Sequence, residues 1–206
     1  MKRGKFITLE GVDGAGKTTQ RLWIEQHLHD RGVRLIATRE PGGTPLGERL
    51  RKMMLTPGDG GRLDPETETL LMFAARREHL AKVIVPALDG GTWVICDRFT
   101  DATFAYQCGG SGVSWNKVLE LERWVQGGLQ PDLTLFFDVE PEVGLARAQQ
   151  IKVPDRFEGE QLDFHRRVRA AYLRRASDHP ERIRRIDASV SVSQVHDKLQ
   201  ELFLSL

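Results

Sequence analysis

A glycine-rich stretch near the start of the chain has the residue types and the spacing of a phosphate-binding loop. Gly11 and Gly16, followed directly by Lys17 and Thr18, fit the pattern G-x-x-x-x-G-K-[ST]. Because glycine has no Cβ atom, the backbone of this loop can wrap a phosphate chain and aim successive N–H groups at it. The lysine is placed to contact the β- and γ-phosphates, and the following hydroxyl to bind Mg²⁺. We expect a nucleotide-binding loop made of Gly11, Val12, Asp13, Gly14, Ala15, Gly16, Lys17, Thr18 and Thr19.

The segments on either side of the loop have the patterns that this motif requires. The run Phe6-Ile7-Thr8-Leu9 is short and apolar, as is typical of a buried strand. A helical pattern follows from Lys17 to Asp30 and ends at Gly32, a residue type that favours the end of a helix. The positive N-terminal end of this helix would face the phosphates.

Strands and helices alternate along the rest of the chain. Further strands are predicted at 33–38, 92–96, 133–139 and 182–186. Helices are predicted at 45–55, from 65 onward with Pro86 kinking or ending it, at 115–126, from 141, at 161–178, and after the capping box of Ser191 and Gln194. Five strands alternating with helices predict an α/β fold of the P-loop NTPase type, with a five-stranded parallel sheet and helices on both faces. The length favours a single domain over residues 1–206.

Composition excludes several classes of function. The 30 basic residues nearly cancel the 29 acidic ones, so overall charge does not favour nucleic acid or a membrane surface as a partner. Two cysteines and six histidines lack the spacing of a metal site or a disulfide framework. The chain has no apolar run of about 18 residues and no apolar core of a signal peptide, so we expect a cytoplasmic protein. Arginines crowd its end, where a solvated helical face is favoured over a polyanion site: Arg166, Arg167, Arg169, Arg174, Arg175, Arg182, Arg184 and Arg185.

Charged residues follow the first three predicted strands. Glu10 follows the first, Arg39 the second, and Asp97 with Arg98 the third. In a parallel α/β sheet, ligands bind beyond the carboxyl ends of the strands, so these residues should share a site with the phosphate loop. Asp97 is then a candidate Mg²⁺ ligand beside Thr18. The two arginines suit a second phosphate group, although each could instead form an ordinary ion pair, for example with Glu40 or Asp97.

Longer stretches of the chain resemble a known family, the bacterial thymidylate kinases. The matching stretches are GVDGAGKT at 11–18, TREPGGTPLGE at 38–48, LLMFAARREHL at 70–80, CDRFTDATFAYQ at 96–107, PDLTLFFDVEPEVGLARA at 131–148 and DRFE at 155–158. They cover nearly the whole chain in the family's order. The phosphate loop alone is generic, whereas REPGGT combined with DRF-x₆-YQ is specific to this family.

The resemblance implies a reaction and a set of site residues. The enzyme would transfer the γ-phosphoryl group of ATP to dTMP, giving dTDP and ADP with Mg²⁺ as cofactor, and would be a homodimer. A mobile lid would span about 149–160. The implied catalytic residues are Lys17, Asp97, Arg98 and, reaching the phosphoryl group from the lid, Arg156. The implied dTMP contacts are Asp13 to the sugar 3′-hydroxyl, Arg39 and Arg98 to the phosphate, Phe73 stacked on thymine, Arg76 to its carbonyl, and Thr103 and Gln107 along the base pocket.

One of these positions is open by a residue. Family members place the stacking side chain three or four residues before the arginine, so Met72 competes with Phe73. We expect Phe73, because only it has a ring. The chain also departs from the family at CGGSG, where Cys108 and Ser111 replace a glycine and an arginine, and its lid is less basic than in many relatives.

A phosphate loop also occurs in proteins with two other functions. A GTPase switch needs an N-K-x-D motif, and the one Asn-Lys pair, Asn116-Lys117, is followed by Val118-Leu119, which lacks the aspartate. A kinase acting on another small acceptor, such as a different nucleoside monophosphate, is the nearer alternative.

Overall fold

The computed structural model describes residues 3–56, 63–149, 157 and 160–204. Five parallel strands form one sheet in the order β2-β3-β1-β4-β5. Their bounds are β1 Phe6–Glu10, β2 Leu35–Arg39, β3 Trp93–Asp97, β4 Leu133–Asp138 and β5 Ile183–Asp187. The predicted α/β fold with a five-stranded parallel sheet is confirmed, and the four later strands lie within two residues of their predicted bounds.

Helices connect the strands throughout the described residues. They are α1 Lys17–Asp30, α2 Pro45–Leu55, α3 Pro65–His79, α4 Val85–Asp89, α5 Thr100–Thr103, α6 Trp115–Gln126, α7 Pro141–Gln149, α8 Leu162–Asp178 and α9 Val192–Leu204. Asp64 caps α3 by accepting hydrogen bonds from the backbone N–H groups of Glu66 and Thr67, and Ser191 with Gln194 forms the expected capping box of α9. Among the described residues, no helix is both long and apolar enough to cross a bilayer.

Two apolar cores cover the two faces of the sheet. Alternate residues of one strand belong to different cores: Phe6 and Val94 pack with α4 and α6, whereas Ile7 and Ile95 pack with α1, α8 and α9. Side chains alternate across a strand, so the two clusters lie on opposite faces. The central strand β4 is buried at every position, in keeping with a parallel strand covered on both sides.

Two segments are π-helical, which the sequence did not indicate. The first, Leu80–Ile84, lies just before Pro86, and the helical run continues through α4 to Asp89. The wide turn accommodates a proline that cannot donate a backbone hydrogen bond, so the helical path goes on past it. The second, Phe104–Gly110, takes in part of the glycine cluster. There a Cβ atom on Gly110 would lie 2.4 Å from the ring of Phe164, so the glycine permits close packing against α8.

The arginine-rich end of the chain is paired internally. Arg175 and Arg182 are buried and bind Asp101, and Arg169 and Arg185 bind Asp138. The remaining arginines contact Glu142, Asp163, Asp178 or backbone carbonyls. A polyanion-binding surface is therefore not favoured, but the prediction of a uniformly solvated face was wrong for Arg175 and Arg182, which connect α8 and the start of β5 to α5.

Candidate active site

The phosphate loop has the strained, open backbone that its glycines predict. Gly11, Gly14 and Gly16 all have positive φ angles, and Gly16 forms the N-cap of α1. A Cβ atom at Gly14 would lie 1.9 Å from the carbonyl oxygen of Gly144, so only glycine fits where the loop meets α7. Val12 and Ala15 are buried and anchor the loop on the core.

Lys17 is folded back over this loop. Its Nζ atom donates to the carbonyl oxygens of Gly11 at 3.0 Å and Val12 at 3.1 Å, and lies 4.0 Å from the Asp13 carboxylate. Burial, followed by the repulsion of Arg98, lowers the pKa of the Lys17 ammonium group. The ammonium group is thus held against the carbonyl oxygens at the start of the loop.

Arg98 lies in the middle of the site in an unusual backbone conformation. Its φ angle is +67°, the one positive value among the described non-glycine residues. Its guanidinium donates to Asp13 Oδ1 at 2.8 Å, to the Gly11 carbonyl at 2.9 Å, and to the hydroxyls of Tyr106 and Tyr172 at 3.1 Å each. Burial alone would lower the pKa of Arg98, but Tyr106 and Asp13 outweigh it and raise the pKa well above its ordinary value.

A buried carboxyl group holds the turn that contains Arg98 and Phe99. Glu10, at the end of β1, accepts hydrogen bonds from the backbone N–H of Phe99 at 2.7 Å and from the Tyr172 hydroxyl at 2.8 Å. Burial, with a further contribution from Asp101, raises the pKa of Glu10 to about 8, against the opposing effect of Arg98. The path from Glu10 through Tyr172 to Arg98 connects β1, α8 and the end of β3.

Arg39 reaches the same edge of the sheet but is more exposed. Its register partner is Asp97, which confirms that the ends of β2 and β3 meet. Its ion-pair partner is Glu48 at 2.9 Å, not Glu40 or Asp97, and its side chain is 55% exposed. Burial works to raise the pKa of Glu48, but the hydrogen bonds from Arg39 and from the Gly43 backbone together outweigh it and lower the pKa.

Three predicted base-pocket residues come together behind these arginines. Arg76 is 2% exposed, and its Nε donates to Glu40 at 2.7 Å while Nη2 donates to the Thr103 hydroxyl at 3.0 Å. Its remaining terminal nitrogen, Nη1, is buried without a hydrogen-bond partner among the described residues. Gln107 is buried and donates to Glu68 at 2.8 Å.

Phe73, the residue expected to stack on thymine, lies in the apolar core and not on the cavity wall. The Phe73 side chain is only 2% exposed, belongs to the core, and packs its ring 4.7 Å from the guanidinium carbon of Arg76. The neighbouring Met72 is half-buried and lines the cavity. Adjacent residues on a helix point about 100° apart, so the two cannot share one direction. The packing of α3 determines which of the two side chains faces the core, and the phenylalanine ring is the one that packs there.

The phosphate loop, the three arginines and the predicted base-pocket residues other than Phe73 line one cavity of about 790 Å³. The phosphate loop, Arg98 and Asp97 form its middle, and Arg39, Met72, Arg76, Thr103 and Gln107 form one arm. The opposite arm was not foreseen and is lined by Arg147, Ala188, Val190, Ser191, Val192 and Val195. This arm begins where β5 ends. The strand-end rule, applied to the fifth strand as well as the first three, would have located it.

Comparisons with known proteins agree with this geometry. A family model described as thymidylate kinase matches residues 9–199. Thymidylate kinase of Nitrosomonas europaea is 56% identical over 98% of this chain and 93% of its own length, and that of Nitrosospira multiformis is 59% identical over 97% and 96%. The chain belongs to the thymidylate kinase family. It is an enzyme, a nucleoside monophosphate kinase with thymidylate kinase activity.

A solved structure supports the thymidylate kinase fold. The crystal structure of thymidylate kinase from Ehrlichia chaffeensis superposes with a TM-score of 0.77 at 34% identity, covering 98% of this chain and 99% of that one.

A thymidylate kinase needs a cation for the ATP phosphates, and the residues present fit Mg²⁺. Asp97 Oδ1 is buried without a hydrogen-bond partner among the described residues, and Thr18 lines the cavity nearby. No group of three His, Cys, Asp or Glu side chains suited to a metal occurs in the part of the chain that the structure describes. One carboxylate and one hydroxyl, completed by phosphate oxygens and water, is the donor set that suits Mg²⁺ in kinases.

The lid lies largely outside the described residues. Arg156, and with it the predicted contact to the phosphoryl group, falls at a position that the structure does not describe. Phe157 is described: it is buried, lines the cavity and packs edge-on against Tyr106 with ring centroids 5.3 Å apart. Near the altered CGGSG stretch, Arg167 of α8 donates to the carbonyl oxygens of Gly109 and Gly110 at 3.2 and 2.9 Å.

Proposed function

We propose that the cavity transfers the γ-phosphoryl group of ATP to the phosphate of dTMP, giving dTDP and ADP. The observation that carries this proposal is the continuity of the cavity, which joins the phosphate loop to Arg98 and then to the buried polar groups of Arg76 and Gln107. A donor phosphate chain in the loop and an acceptor phosphate at the arginines would meet in the middle. Such positioning, together with charge neutralisation, is the main task of a phosphoryl-transfer enzyme.

In the proposed complex, Lys17 and the loop backbone hold the ATP phosphates. Arg98 and Arg39 bind the acceptor phosphate, and Asp13 contacts the sugar hydroxyl while it orients Arg98. The Gly11 and Val12 carbonyls that now accept from Lys17 would give way to phosphate oxygens. The acceptor is already anionic, so no strong general base is needed.

Thr18 and Asp97 would hold Mg²⁺, which when bound would neutralise negative charge on the ATP phosphates. The buried Oδ1 of Asp97, which has no hydrogen-bond donor in the part of the chain that the structure describes, supports this role, since such an oxygen is costly unless a cation binds it.

The two arms of the cavity divide the bases between them. Thymine would lie against Met72, with Arg76 Nη1 donating to a base carbonyl and with Thr103 and Gln107 along the edge. Adenine would occupy the opposite arm, where Val190, Val192 and Val195 offer an apolar wall beside Arg147. Arg147 donates to the Ala188 carbonyl at 2.9 Å, which fixes its plane at the rim of this arm.

Several features of the proposed enzyme extend beyond the cavity. We infer one kinase domain over residues 1–206 that acts in the cytoplasm, with a lid at about 149–160 from which Arg156 reaches the phosphoryl group. We also infer a homodimer. Its support is a set of exposed apolar residues on α2, α3 and α6, helices that pack side by side: Met53, Leu70 and Trp124, exposed by 58%, 56% and 82%.

The proposed reaction is tested with a panel of acceptors. ATP and Mg²⁺ are supplied with dTMP, dUMP, dCMP, dGMP or AMP, and ADP release is measured. We expect dTMP to have the highest kcat/KM, and Lys17→Ala to lower kcat at least ~10²-fold for it. A higher kcat/KM for another monophosphate would assign the enzyme to that acceptor instead.

A further inference from the structure

We propose that His79, which does not reach the cavity, is a positioning residue that sets the acceptor-base selectivity of the enzyme by orienting Arg76 through Glu40. This inference rests on the proposed function, since it concerns the acceptor arm of the same site. His79 is completely buried, and it is absent from the cavity wall that contains Glu40 and Arg76.

A continuous chain of hydrogen bonds connects His79 to that wall. His79 Nδ1 lies 3.0 Å from Glu40 Oε1, and Glu40 Oε2 accepts from Arg76 Nε at 2.7 Å. On the other side of the imidazole, Nε2 lies 2.7 Å from the Thr38 hydroxyl. These hydrogen bonds therefore begin at Thr38 in β2 and pass through His79 at the end of α3 to Glu40 in the loop after β2. From Glu40 they continue to the Arg76 guanidinium and end at Thr103 of α5.

The chemistry of these groups determines which atom donates and which accepts in each hydrogen bond. An ionised carboxylate only accepts hydrogen bonds, so His79 Nδ1 donates to Glu40. A neutral imidazole with its proton on Nδ1 presents a lone pair at Nε2, which the Thr38 hydroxyl can donate to. Each of the two Glu40 oxygens then has one donor, and the carboxylate is held between the imidazole and the guanidinium.

The guanidinium of Arg76 is fixed in every direction but one. The rings of Phe73 and Phe99 pack against it, with their centroids 4.7 and 4.9 Å from its central carbon. Glu40 and Thr103 fix its rotation within its own plane. Only Nη1 has no partner among the described residues, so it is the donor that this framework offers to a ligand. A guanidinium cannot accept a hydrogen bond, so Nη1 selects a base carbonyl over an amino group.

His79 prevents an alternative, bidentate pairing between Glu40 and Arg76. Arginine and carboxylate favour a bidentate pairing in which two parallel N–H groups bind both oxygens. If His79 did not hold Oε1, Glu40 would close on Nε and Nη2 of Arg76, displace Thr103, and turn Nη1 relative to the cavity. The loop after β2 holds the imidazole tightly, since a Cβ atom at Gly43 would lie 2.4 Å from His79 Nε2.

The test uses two isosteric variants of the full-length enzyme. In His79→Asn the amide nitrogen takes the place of Nδ1 and can still donate to Glu40. In His79→Gln the amide takes the place of Nε2 and keeps only the contact to Thr38. For each, kcat/KM is measured with dTMP and with dCMP, which carries an amino group where thymine has a carbonyl, and KM is measured for ATP.

We expect His79→Gln to lower the dTMP-to-dCMP ratio of kcat/KM by about 10- to 100-fold, the scale of a displaced positioning contact, with an ATP KM close to that of the wild type. His79→Asn should retain most of the ratio. The same two substitutions at His29, an exposed residue of α1, are the matched controls and should change neither quantity. Circular dichroism and thermal unfolding compare the folding of the two His79 variants.

Two results would overturn the inference. One is an unchanged dTMP-to-dCMP ratio in His79→Gln, which includes an equal loss for both acceptors, and the other is a greater loss of selectivity in His79→Asn than in His79→Gln. A wild-type enzyme that phosphorylates none of the acceptors would instead overturn the proposed function, and this inference with it. If His79→Gln does not fold, Glu40→Gln provides the decision. It removes the ionised carboxylate that joins the imidazole to the guanidinium, so it should lower the dTMP-to-dCMP ratio at an unchanged ATP KM, and a uniform loss would contradict the mechanism.

Discussion

At the scale of single residues, three arginines in the site are held to different degrees. Arg98 makes four hydrogen bonds before any ligand is present, and Arg76 is enclosed by two rings, a carboxylate and a hydroxyl. Arg39 is half-exposed, and Glu48 is its one side-chain partner among the described residues. Ordering a long side chain on binding costs about 0.5–1.5 kcal/mol, so Arg98 and Arg76 should bind with less loss of entropy than Arg39.

The division of roles between Met72 and Phe73 gives a prediction at this scale. Met72→Ala should raise KM several-fold for all acceptors alike, because an apolar contact with a base face discriminates little, and it should leave stability nearly unchanged. Phe73→Ala removes a core ring that also packs on Arg76, so we expect a loss of about 3–5 kcal/mol in the free energy of unfolding together with reduced acceptor selectivity. Urea unfolding and kcat/KM for dTMP and dCMP measure both effects.

The opposite results for Met72→Ala and Phe73→Ala would contradict this prediction. If Phe73→Ala remained as stable as the wild type and weakened all acceptors uniformly, while Met72→Ala had no effect on acceptor KM, Phe73 would be the residue in contact with the base.

At the scale of secondary structure, buried polar groups join elements that are distant in sequence. Glu10 connects the end of β1 to the turn after β3 and to Tyr172 on α8. Asp101 connects α5 to Arg175 on α8 and to Arg182 before β5. Both carboxylates lie next to the segment that begins with Arg98. The strained backbone of Arg98 is thus held on several sides, as expected for a conformation that costs about 1–3 kcal/mol and persists because its surroundings determine it.

The raised pKa of Glu10 predicts how stability depends on pH. Its pKa is about 8 in the folded protein and near the ordinary 4.5 when unfolded, so between these values the folded state binds more protons. The contribution of Glu10 to the free energy of unfolding is fully present below pH 4.5 and is lost as pH rises through 8. The free energy changes by at most about 1.4 kcal/mol per pH unit. Glu10→Gln, which cannot ionise, should remove this component.

Urea unfolding from pH 5 to 8.5 measures this component as the difference between the two proteins. Asp163→Asn, at an exposed carboxylate at the start of α8, is a suitable control. Parallel stability curves for wild type and Glu10→Gln would show that Glu10 ionises normally in the folded state.

At the scale of the whole molecule, the proposed homodimer predicts a change of mass. A charged side chain among the exposed apolar residues of α2, α3 and α6 should separate the protomers, because an unpaired charge in a buried interface is costly. We expect Trp124→Glu to sediment as a monomer where the wild type sediments as a dimer. Because Trp124 is 82% exposed in the protomer, the fold should be retained.

A matched substitution separates this effect from added charge alone. Leu22, on α1, is 55% exposed, and Leu22→Glu should leave the dimer intact. A wild-type monomer, or a dimer that survives Trp124→Glu, would place the interface elsewhere or remove it.

The sequence by itself determined the phosphate loop and the positions of the strands along the chain. It also determined the edge of the sheet where Arg39, Asp97 and Arg98 meet. These features follow from local patterns: glycine spacing, alternation of apolar runs with helices, and the rule that parallel strands end at one edge. Even the α2 and α6 bounds, Pro45–Leu55 and Trp115–Gln126, were predicted from flanking residues alone.

Only the tertiary structure decided which side chains enter the cavity. Whether Met72 or Phe73 faces it depends on the rotation of α3 against its neighbours, and the partner of Arg39 proved to be Glu48 nine residues away. The chain of Thr38, His79, Glu40 and Arg76 joins a strand, a loop and a helix that no periodicity connects. A local pattern specifies the backbone path because it acts over a few neighbouring residues, whereas the direction and hydrogen bonding of a buried side chain are set by packing against elements from distant parts of the chain.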